Sequence, residues 1–130
     1  MKKKILVVVA NYYKDISADL TIQASVVLSK KKIKTDWIKV PGIFEIPVII
    51  SKNIKKYDGF IALGCVIKGE TANFDLISRA ITDGIMQLSI SHKKPIGNSI
   101  ITSFSKDQAL KRFDRGKEAA KAVLEVLKIK

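Results

Sequence analysis

The stretch with the clearest chemical potential is residues 62–75, ALGCVIKGETANFD, which can bind an anion. An apolar run typical of a strand leads into a polar turn that contains Gly69, and a helix is predicted to follow. The backbone N–H groups in the first turn of a helix have no intrahelical partner and carry partial positive charge, so they stabilise a phosphate or a carboxylate. Many turns of this kind contain a glycine and bind nothing, so an ordinary connection stays open as the alternative.

Aromatic and acidic side chains follow two other apolar runs of the sequence. Tyr12 could stack on a planar ring, and Glu45 could accept hydrogen bonds from hydroxyl groups. Taken singly, Tyr12 and Phe44 are explained equally well by packing at a strand end, and Glu45 by a favourable charge at a helix N-terminus. Three such positions at neighbouring strand ends, however, favour a ligand site.

The chain contains one cysteine and one histidine. A single cysteine excludes an intramolecular disulfide and a cysteine-based metal cluster, and a single histidine argues against zinc. Cys65 lies at the end of an apolar run, which favours a small buried side chain over a nucleophile. His92 is predicted to lie at the surface, at the far end of a helix. We therefore expect no metal site.

The net charge of +12, from 24 Lys and Arg against 12 Asp and Glu, could attract nucleic acid. Only three of these 24 cations are arginines, the side chain favoured for base readout and planar phosphate recognition. The lysines are scattered along the chain, which favours a solvated surface, so we expect no nucleic-acid partner. No apolar run approaches the roughly 18 residues that a membrane span needs, so we expect a cytoplasmic protein with no membrane partner.

The chain of 130 residues, of which 47% are hydrophobic, is long enough for one domain, 1–130, with a single core. Continuous β-branched runs predict strands covered on both faces, and apolar spacings of three and four predict helices. The strands are predicted over 4–10, 34–40, 59–67 and 95–102, and the helices from Ser17 onward and over 44–54, 74–90, 106–113 and 117–128. This alternation predicts an α/β fold, a doubly wound four-stranded parallel sheet with helices on both faces.

Ligands of such a sheet bind beyond the carboxyl ends of its strands. Here these ends are residues 11–13, 41–45, 65–73 and 102–103. We therefore expect Tyr12, Glu45 and the anion-binding turn to meet at one edge of the sheet.

Four segments in order resemble the lumazine synthase family: VVANYY at 8–13, VPGIFEIP at 40–47, ALGCVIKGET at 62–71 and QALKR at 108–112. The resemblance implies a flavodoxin-like α/β/α sandwich in three layers. It also implies a transferase of riboflavin biosynthesis that makes 6,7-dimethyl-8-ribityllumazine, phosphate and water without a metal or an organic cofactor. Its two substrates would be 5-amino-6-(D-ribitylamino)uracil and 3,4-dihydroxy-2-butanone 4-phosphate.

The resemblance also implies roles for individual residues. Tyr12 would stack on the pyrimidine, where the family usually has Phe. The other substrate contacts would be Ile43, Phe44 and Glu45 at the ribityl chain and Cys65, Val66 and Ile67 at the ring edge. The phosphate would be held by Gly69, Glu70 and Thr71 and by Arg112 from a neighbouring subunit. Arg115 would lie near the same phosphate, at a position where the family often has Lys.

Two positions depart from the family pattern. Asn73 stands where the family has the histidine credited with proton transfer, and an amide cannot act as a general base near pH 7. Asn73 could still hydrogen-bond the substrate or a water, or cap the helix. Asn98 replaces an aromatic residue that the family presents to the ring from the neighbouring chain. These departures leave two hypotheses, an active synthase and a non-catalytic relative that binds a lumazine or a flavin.

The resemblance further implies a homo-oligomer with sites between subunits. The segment 112–118 is shorter than in many family members, and the sequence begins almost at its first strand. In the family an extra N-terminal strand can pair with the sheet of an adjacent subunit. Because this sequence lacks that strand, we expect a pentameric ring rather than a capsid-like shell.

Overall fold

The sheet contains four parallel strands in the order β2-β1-β3-β4. A computed structural model describes residues 3–68 and 73–129, with Asn73 described by its backbone alone. Within these ranges the strands are β1 (Lys4–Ala10), β2 (Lys34–Val40), β3 (Gly59–Ile67) and β4 (Ile96–Ser103). The central position of β1 and the bounds of the first three strands are confirmed, and β4 lies one residue later at each end than predicted.

Helices cover both faces of the sheet, which confirms the three-layer α/β/α arrangement of a flavodoxin-like fold. One face carries α1 (Lys14–Leu28), α4 (Lys106–Leu110) and α5 (Arg115–Lys128), and the other carries α2 (Ile46–Lys52) and α3 (Asn73–His92). None of the helices in the described ranges is both long and apolar enough to cross a bilayer.

The alternation of side chains along β1 divides the core into two clusters. Val7 and its neighbours two positions away pack with Leu20 and Val123 under α1 and α5. Val8 and its neighbours two positions away pack with Ile46 and other residues of α2 and α3. A strand buried on both faces must be apolar at every position, which explains the continuous run that predicted it.

The first helix begins at Lys14, whereas the prediction had it begin at Ser17. The Ser17 N–H donates to the Tyr13 carbonyl at 2.9 Å, and Ile16 is buried in the first turn. Ile16 lies four residues before Leu20, so it extends the apolar spacing of the helix beyond the predicted start.

The helix predicted over 44–54 is divided. Ile43–Glu45 forms a 3₁₀ turn, and α2 follows with Pro47 in its first turn, where the missing N–H costs little. The helix predicted over 74–90 extends from Asn73 to His92, and His92 is exposed as predicted.

The two C-terminal helices also differ in their bounds. α4 ends at Leu110 rather than at 113, and α5 begins at Arg115 rather than at 117. Gly116, in the first turn of α5, packs directly against the backbone of Leu20 in α1, at a position that no side chain could occupy.

Candidate functional site

The carboxyl ends of the strands lie at one edge of the sheet, as predicted, and this edge is stepped. Pairing between β1 and β3 ends at Val9 and Leu63, whereas pairing between β3 and β4 continues to Ile67 and Ser103. At 3.3 Å per residue, β3 extends about 10 Å beyond the end of β1. Residues 65–67 therefore form a wall beside the platform made by the ends of β1 and β2.

Tyr12 lies on the platform two residues after the end of β1, and 74% of its surface is exposed. Its ring packs edge to face against Tyr13, with the centroids 4.9 Å apart. Tyr13 is half-buried, and this burial, with smaller contributions from Cys65 and Tyr12, raises the pKa of its phenol. An exposed ring supported by a neutral neighbour is suited to stacking on a planar ligand.

The side chains of the wall belong to both faces of the sheet. Cys65 and Ile67 pack with the residues under α1 and α5, and Val66 with those under α2 and α3. Burial, followed by the charge of Asp15, raises the pKa of the Cys65 thiol to about 11. The thiol is therefore protonated at neutral pH, in agreement with the prediction of a buried side chain rather than a nucleophile.

The turn after β2 brings Ile43, Phe44 and Glu45 to the same edge. Ile43 is buried against Gly64 of β3, where a Cβ atom would lie only 2.9 Å from Ile43 Cγ2. The turn is closed by the Glu45 N–H, which donates to the Gly42 carbonyl at 3.2 Å. Ile43 thus anchors the turn, while Phe44 is 64% exposed and Glu45 is half-buried, so both are accessible to a ligand.

Two exposed arginines follow α4. Arg112 Nη1 donates to the Thr102 carbonyl at 3.0 Å, which holds the guanidinium at the carboxyl end of β4. Arg115 begins α5, and the next residue, Gly116, contacts Leu20 in the middle of α1. The structure therefore brings Arg112 to the edge and places Arg115 farther along the surface of α1.

Asn98 is exposed on β4, five residues before the strand ends at Ser103. At 3.3 Å per residue this places it about 16 Å from the carboxyl end. Its Oδ1 accepts a hydrogen bond from the Ile100 N–H at 3.0 Å. Within one chain Asn98 therefore lies away from the edge. The resemblance implies that this residue contributes to the site of a neighbouring chain instead.

Three predicted phosphate-binding residues, Gly69, Glu70 and Thr71, lie outside the described residues, as does the side chain of Asn73. The backbone of Asn73 begins α3. The roles of these four residues therefore stay predictions.

A cluster that the sequence did not single out flanks this segment. Phe74, in the first turn of α3, stacks on Phe104, which follows β4, with centroids 6.0 Å apart and ring planes at 29°. Lys68 Nζ lies 5.3 Å from the centroid of the Phe104 ring. A phenylalanine two residues beyond a predicted strand was a weak signal of this cluster, because only the pairing of β3 with β4 brings Lys68 and Phe104 together.

An ion pair ties α4 to the start of α1. Lys106 Nζ lies 2.9 Å from Asp15 Oδ2, and this hydrogen-bonded partner lowers the pKa of the Asp15 carboxyl. Both side chains are about half exposed, so solvent screens the pair and its effect is mainly to orient α4. The position of Arg112, which follows α4, depends on this orientation.

The described edge combines an exposed aromatic ring, an apolar wall, an accessible carboxylate and a guanidinium. Such a set can hold a planar polar ring, a hydroxylated chain and an anion together. Among residues 3–68 and 73–129, no group of three or more His, Cys, Asp or Glu side chains is arranged to hold a metal ion.

Comparison with known proteins assigns the chain to a family. The sequence model of the 6,7-dimethyl-8-ribityllumazine synthase family matches residues 2–130. The 6,7-dimethyl-8-ribityllumazine synthase of Agrobacterium fabrum is 37% identical over 141 residues, which cover 99% of this chain and 95% of that protein. The enzymes of the same name from Rhodopseudomonas palustris strain BisA53 and from Beijerinckia indica are 38% and 36% identical, covering 96% and 93% of this chain and 84% and 72% of theirs. The chain therefore belongs to the 6,7-dimethyl-8-ribityllumazine synthase family.

Proposed function

We propose that the chain is a 6,7-dimethyl-8-ribityllumazine synthase of riboflavin biosynthesis. It condenses 5-amino-6-(D-ribitylamino)uracil with 3,4-dihydroxy-2-butanone 4-phosphate and releases phosphate and water. The observation that carries this proposal is the family match over residues 2–130, shared with relatives that are named as synthases. These names favour the enzyme over a non-catalytic ligand-binding relative.

The pyrimidine and its ribityl chain bind on the platform. Tyr12 stacks on the pyrimidine, and its 74% exposure leaves a ring face free for this purpose. Phe44 and Glu45 contact the ribityl chain, with Glu45 accepting hydrogen bonds from its hydroxyls and Ile43 fixing the turn. The wall of Cys65, Val66 and Ile67 borders the ring edge, and Asn98 of a neighbouring chain offers an amide to it.

The phosphate of the butanone binds beside the wall, at Gly69, Glu70 and Thr71. Backbone N–H groups at the start of α3 supply the partial positive charge. Arg112 of a neighbouring subunit adds a planar fork that matches two phosphate oxygens. Arg115 of that subunit, which lies farther along α1, adds positive charge to the surroundings of the same site. The hydrogen bond of Arg112 to the Thr102 carbonyl supports this role, because it holds the exposed guanidinium at the carboxyl edge of its own sheet, where a neighbouring subunit can meet it.

Catalysis proceeds mainly by positioning. Imine formation, phosphate elimination and ring closure each require proton transfer, and Asn73 cannot act as the general base. Holding the two substrates together removes much of the entropic barrier, whereas one acid–base group typically contributes about 10² to 10⁴ in rate. Asn73 instead donates a hydrogen bond to the substrate or to a water molecule that relays the proton.

The active form is a homopentamer in the cytoplasm, with sites between subunits. This is supported by large apolar side chains that one chain leaves exposed on α3, among them Leu76 at 68% and Ile90 at 69%. Such surfaces mark interfaces between proteins. The separation of Asn98 from the edge of its own chain also suits a site that a second subunit completes. Light scattering should give five times the 14.4 kDa of one chain.

The test of the function is lumazine formation followed by absorbance and fluorescence, with the uncatalysed rate subtracted. The wild type should clearly exceed the spontaneous reaction, and an unchanged rate would overturn the proposal. Asn73→His should be measured beside it. A silent wild type rescued by histidine would instead identify an intact pocket that has lost its proton-transfer group.

A further inference from the structure

The amino ends of the four strands form an even surface at the edge opposite the candidate site. Pairing of β1 with β2 begins at Lys4 and Lys34, and pairing of β1 with β3 begins one residue later, at Ile5 and Gly59. β4 joins one residue after that. The strands therefore start almost level, whereas their carboxyl ends are stepped. Along β1 the two edges lie about 20 Å apart, at 3.3 Å per residue.

Lysines lead into every strand at this edge. The segments that do so are 3–4, 30–34, 55–58 and 93–95, and the parallel topology brings them together because each helix returns the chain to the edge where the next strand begins. Nine of their ten lysines are exposed, and Lys94 is half-buried. These ten, which we call the basic face, are Lys3, Lys4, Lys30, Lys31, Lys32, Lys34, Lys55, Lys56, Lys93 and Lys94.

The basic face carries most of the net charge. The four segments contain a single carboxylate, Asp58, whose Oδ2 accepts a hydrogen bond from the Lys4 N–H at 2.8 Å. Of the 24 Lys and Arg and the 12 Asp and Glu of the chain, the rest of the sequence keeps 14 and 11, which nearly balance. Within the described ranges no lysine of the basic face forms an ion pair. The charge of this face is therefore directed at solvent or at an anionic partner.

Helix dipoles do not explain this concentration of charge. A cation is favourable in the last turn of a helix, and the effect fades beyond that turn. The basic residues in the last turns are Lys52, His92 and Lys128, and none of them belongs to the basic face. The lysines at 30–32 and 55–56 follow the ends of α1 and α2 and repel one another, which costs stability. A bound polyanion would remove this repulsion.

The composition of the face favours the phosphate backbone of a nucleic acid over a lipid surface. Proteins that lie on lipid insert apolar side chains as well as making charge contacts. The large apolar side chains of the four segments, Ile33 and Tyr57, pack instead against the two core clusters. The Tyr57 hydroxyl also donates to Asp36 Oδ2 at 2.6 Å. Lysine binds phosphate as a point charge, and the face contains no arginine to recognise base edges.

We propose that the basic face binds the phosphate backbone of nucleic acid without regard to base sequence. Along the chain the lysines are scattered, which favoured a solvated surface and no nucleic-acid partner. The fold adds the observation that ten of them meet at one edge. The proposal goes beyond the proposed function and does not depend on it, because the two surfaces lie at opposite ends of the strands.

The test is a titration of a fluorescein-labelled DNA duplex of mixed sequence with the assembled protein, followed by anisotropy at several salt concentrations. If about five lysines contact phosphates, log K should fall against log[salt] with a slope of about −4 to −5. A second duplex of different sequence should bind within about twofold, since no base edge is read. Wild-type binding that is absent or insensitive to salt, or a preference of more than about tenfold between the duplexes, would contradict the proposal.

The first variant removes four exposed charges of the face by combining Lys31→Gln, Lys32→Gln, Lys55→Gln and Lys56→Gln. It should bind the duplex at least about 100-fold more weakly at low salt, and the magnitude of the slope should fall by at least about 2. Lumazine formation should stay at the wild-type level, because the substitutions are remote from the carboxyl edge. A loss of lumazine formation would instead place these lysines in the enzyme site and refute the proposal.

A matched variant removes the same charge from other exposed positions by combining Lys39→Gln, Lys111→Gln, Lys117→Gln and Lys121→Gln. Its duplex affinity should stay within about threefold of the wild type, since salt screens charges that do not contact the phosphates. Equal weakening by both variants would show that net charge alone attracts nucleic acid. Vesicles of phosphatidylserine and phosphatidylcholine test the other occupant, and tighter binding to them than to the duplex would assign the face to a lipid surface. Either result would overturn the proposal.

Discussion

Ile43 occupies the space that a side chain at position 64 would need. A Cβ atom on Gly64 would lie 2.9 Å from Ile43 Cγ2 and 3.0 Å from the Cβ of Ala10. Because position 64 of β3 has no side chain, the turn after β2 can pack against the sheet there. Through this contact, Phe44 and Glu45 reach the same edge as Tyr12.

Gly64→Ala should therefore destabilise the protein and displace the turn. Overpacking of this kind costs about 1 to 3 kcal/mol in the free energy of unfolding, measured by urea denaturation. Gly84→Ala is the matched control, because its nearest neighbours, atoms of Pro47, lie 3.9 Å away. In a helix interior this control should gain about 0.5 to 1 kcal/mol. A Gly64→Ala protein as stable as the wild type would contradict the packing described here.

Lys93 is strained in the structure, with φ at 53° at the end of α3. The Lys94 N–H donates to the Ser89 carbonyl and the Lys93 N–H to the Ile90 carbonyl, which together form a Schellman motif. Lys93→Gly should relieve the left-handed conformation and raise the free energy of unfolding by about 1 kcal/mol. Lys93→Ala retains the strain, so the interpretation fails if alanine stabilises the protein as much as glycine.

The Cys65 thiol should resist alkylation. Because burial raises its pKa from 9.0 to about 11, only about one thiol in a thousand is ionised at pH 8. Iodoacetamide modification, followed by mass spectrometry, should be at least about 100-fold slower in the folded protein than in urea. Rapid modification of the folded protein at pH 8 would contradict this.

The same pKa shift predicts how the free energy of unfolding changes with pH. Above pH 9 the unfolded chain loses the thiol proton while the folded protein keeps it, so stability falls from pH 9 to about 11. Cys65→Ala should lose this part of the pH dependence. An unchanged pH dependence in Cys65→Ala would show that another group is responsible.

Arg112→Ala should weaken binding of the butanone phosphate, because the guanidinium is held at the edge by the Thr102 carbonyl. Loss of a charge-assisted, two-pronged contact predicts a rise in KM of about 10- to 100-fold. Arg112→Lys should recover part of the affinity, since it restores the charge but not the fork. Lys111→Ala removes a neighbouring exposed charge and should leave KM unchanged; an equal effect of both substitutions would exclude a specific role for Arg112.

Tyr12→Ala should weaken binding of the ribitylaminouracil by about 2- to 10-fold, as expected for one lost aromatic stacking contact. Tyr12→Phe keeps the ring and should match the wild type. Fluorescence titration with the lumazine product measures the affinity. If Tyr12→Ala binds the product as well as Tyr12→Phe does, Tyr12 does not lie against the ring.

Local pattern was enough to predict most of the fold. β1 from Ile5 onward and most of β3 are buried on both faces, so these residues had to be apolar, and the bounds of both strands were predicted correctly. Helix ends were less predictable. The 3₁₀ turn at Ile43–Glu45 packs through Ile43 against Gly64, a contact between residues distant in the chain that leaves no periodic signal.

The sequence by itself determined the parallel sheet, the edge at which its carboxyl ends meet, the positions of Tyr12 and Glu45 beyond strand ends and the burial of Cys65, because burial and strand ends follow from local apolar patterns. Only the tertiary structure decided the step between β1 and β3 and the contact of Lys68 with Phe104. Strand order and register place these residues together, and both are set by packing of the whole sheet against its two helical layers.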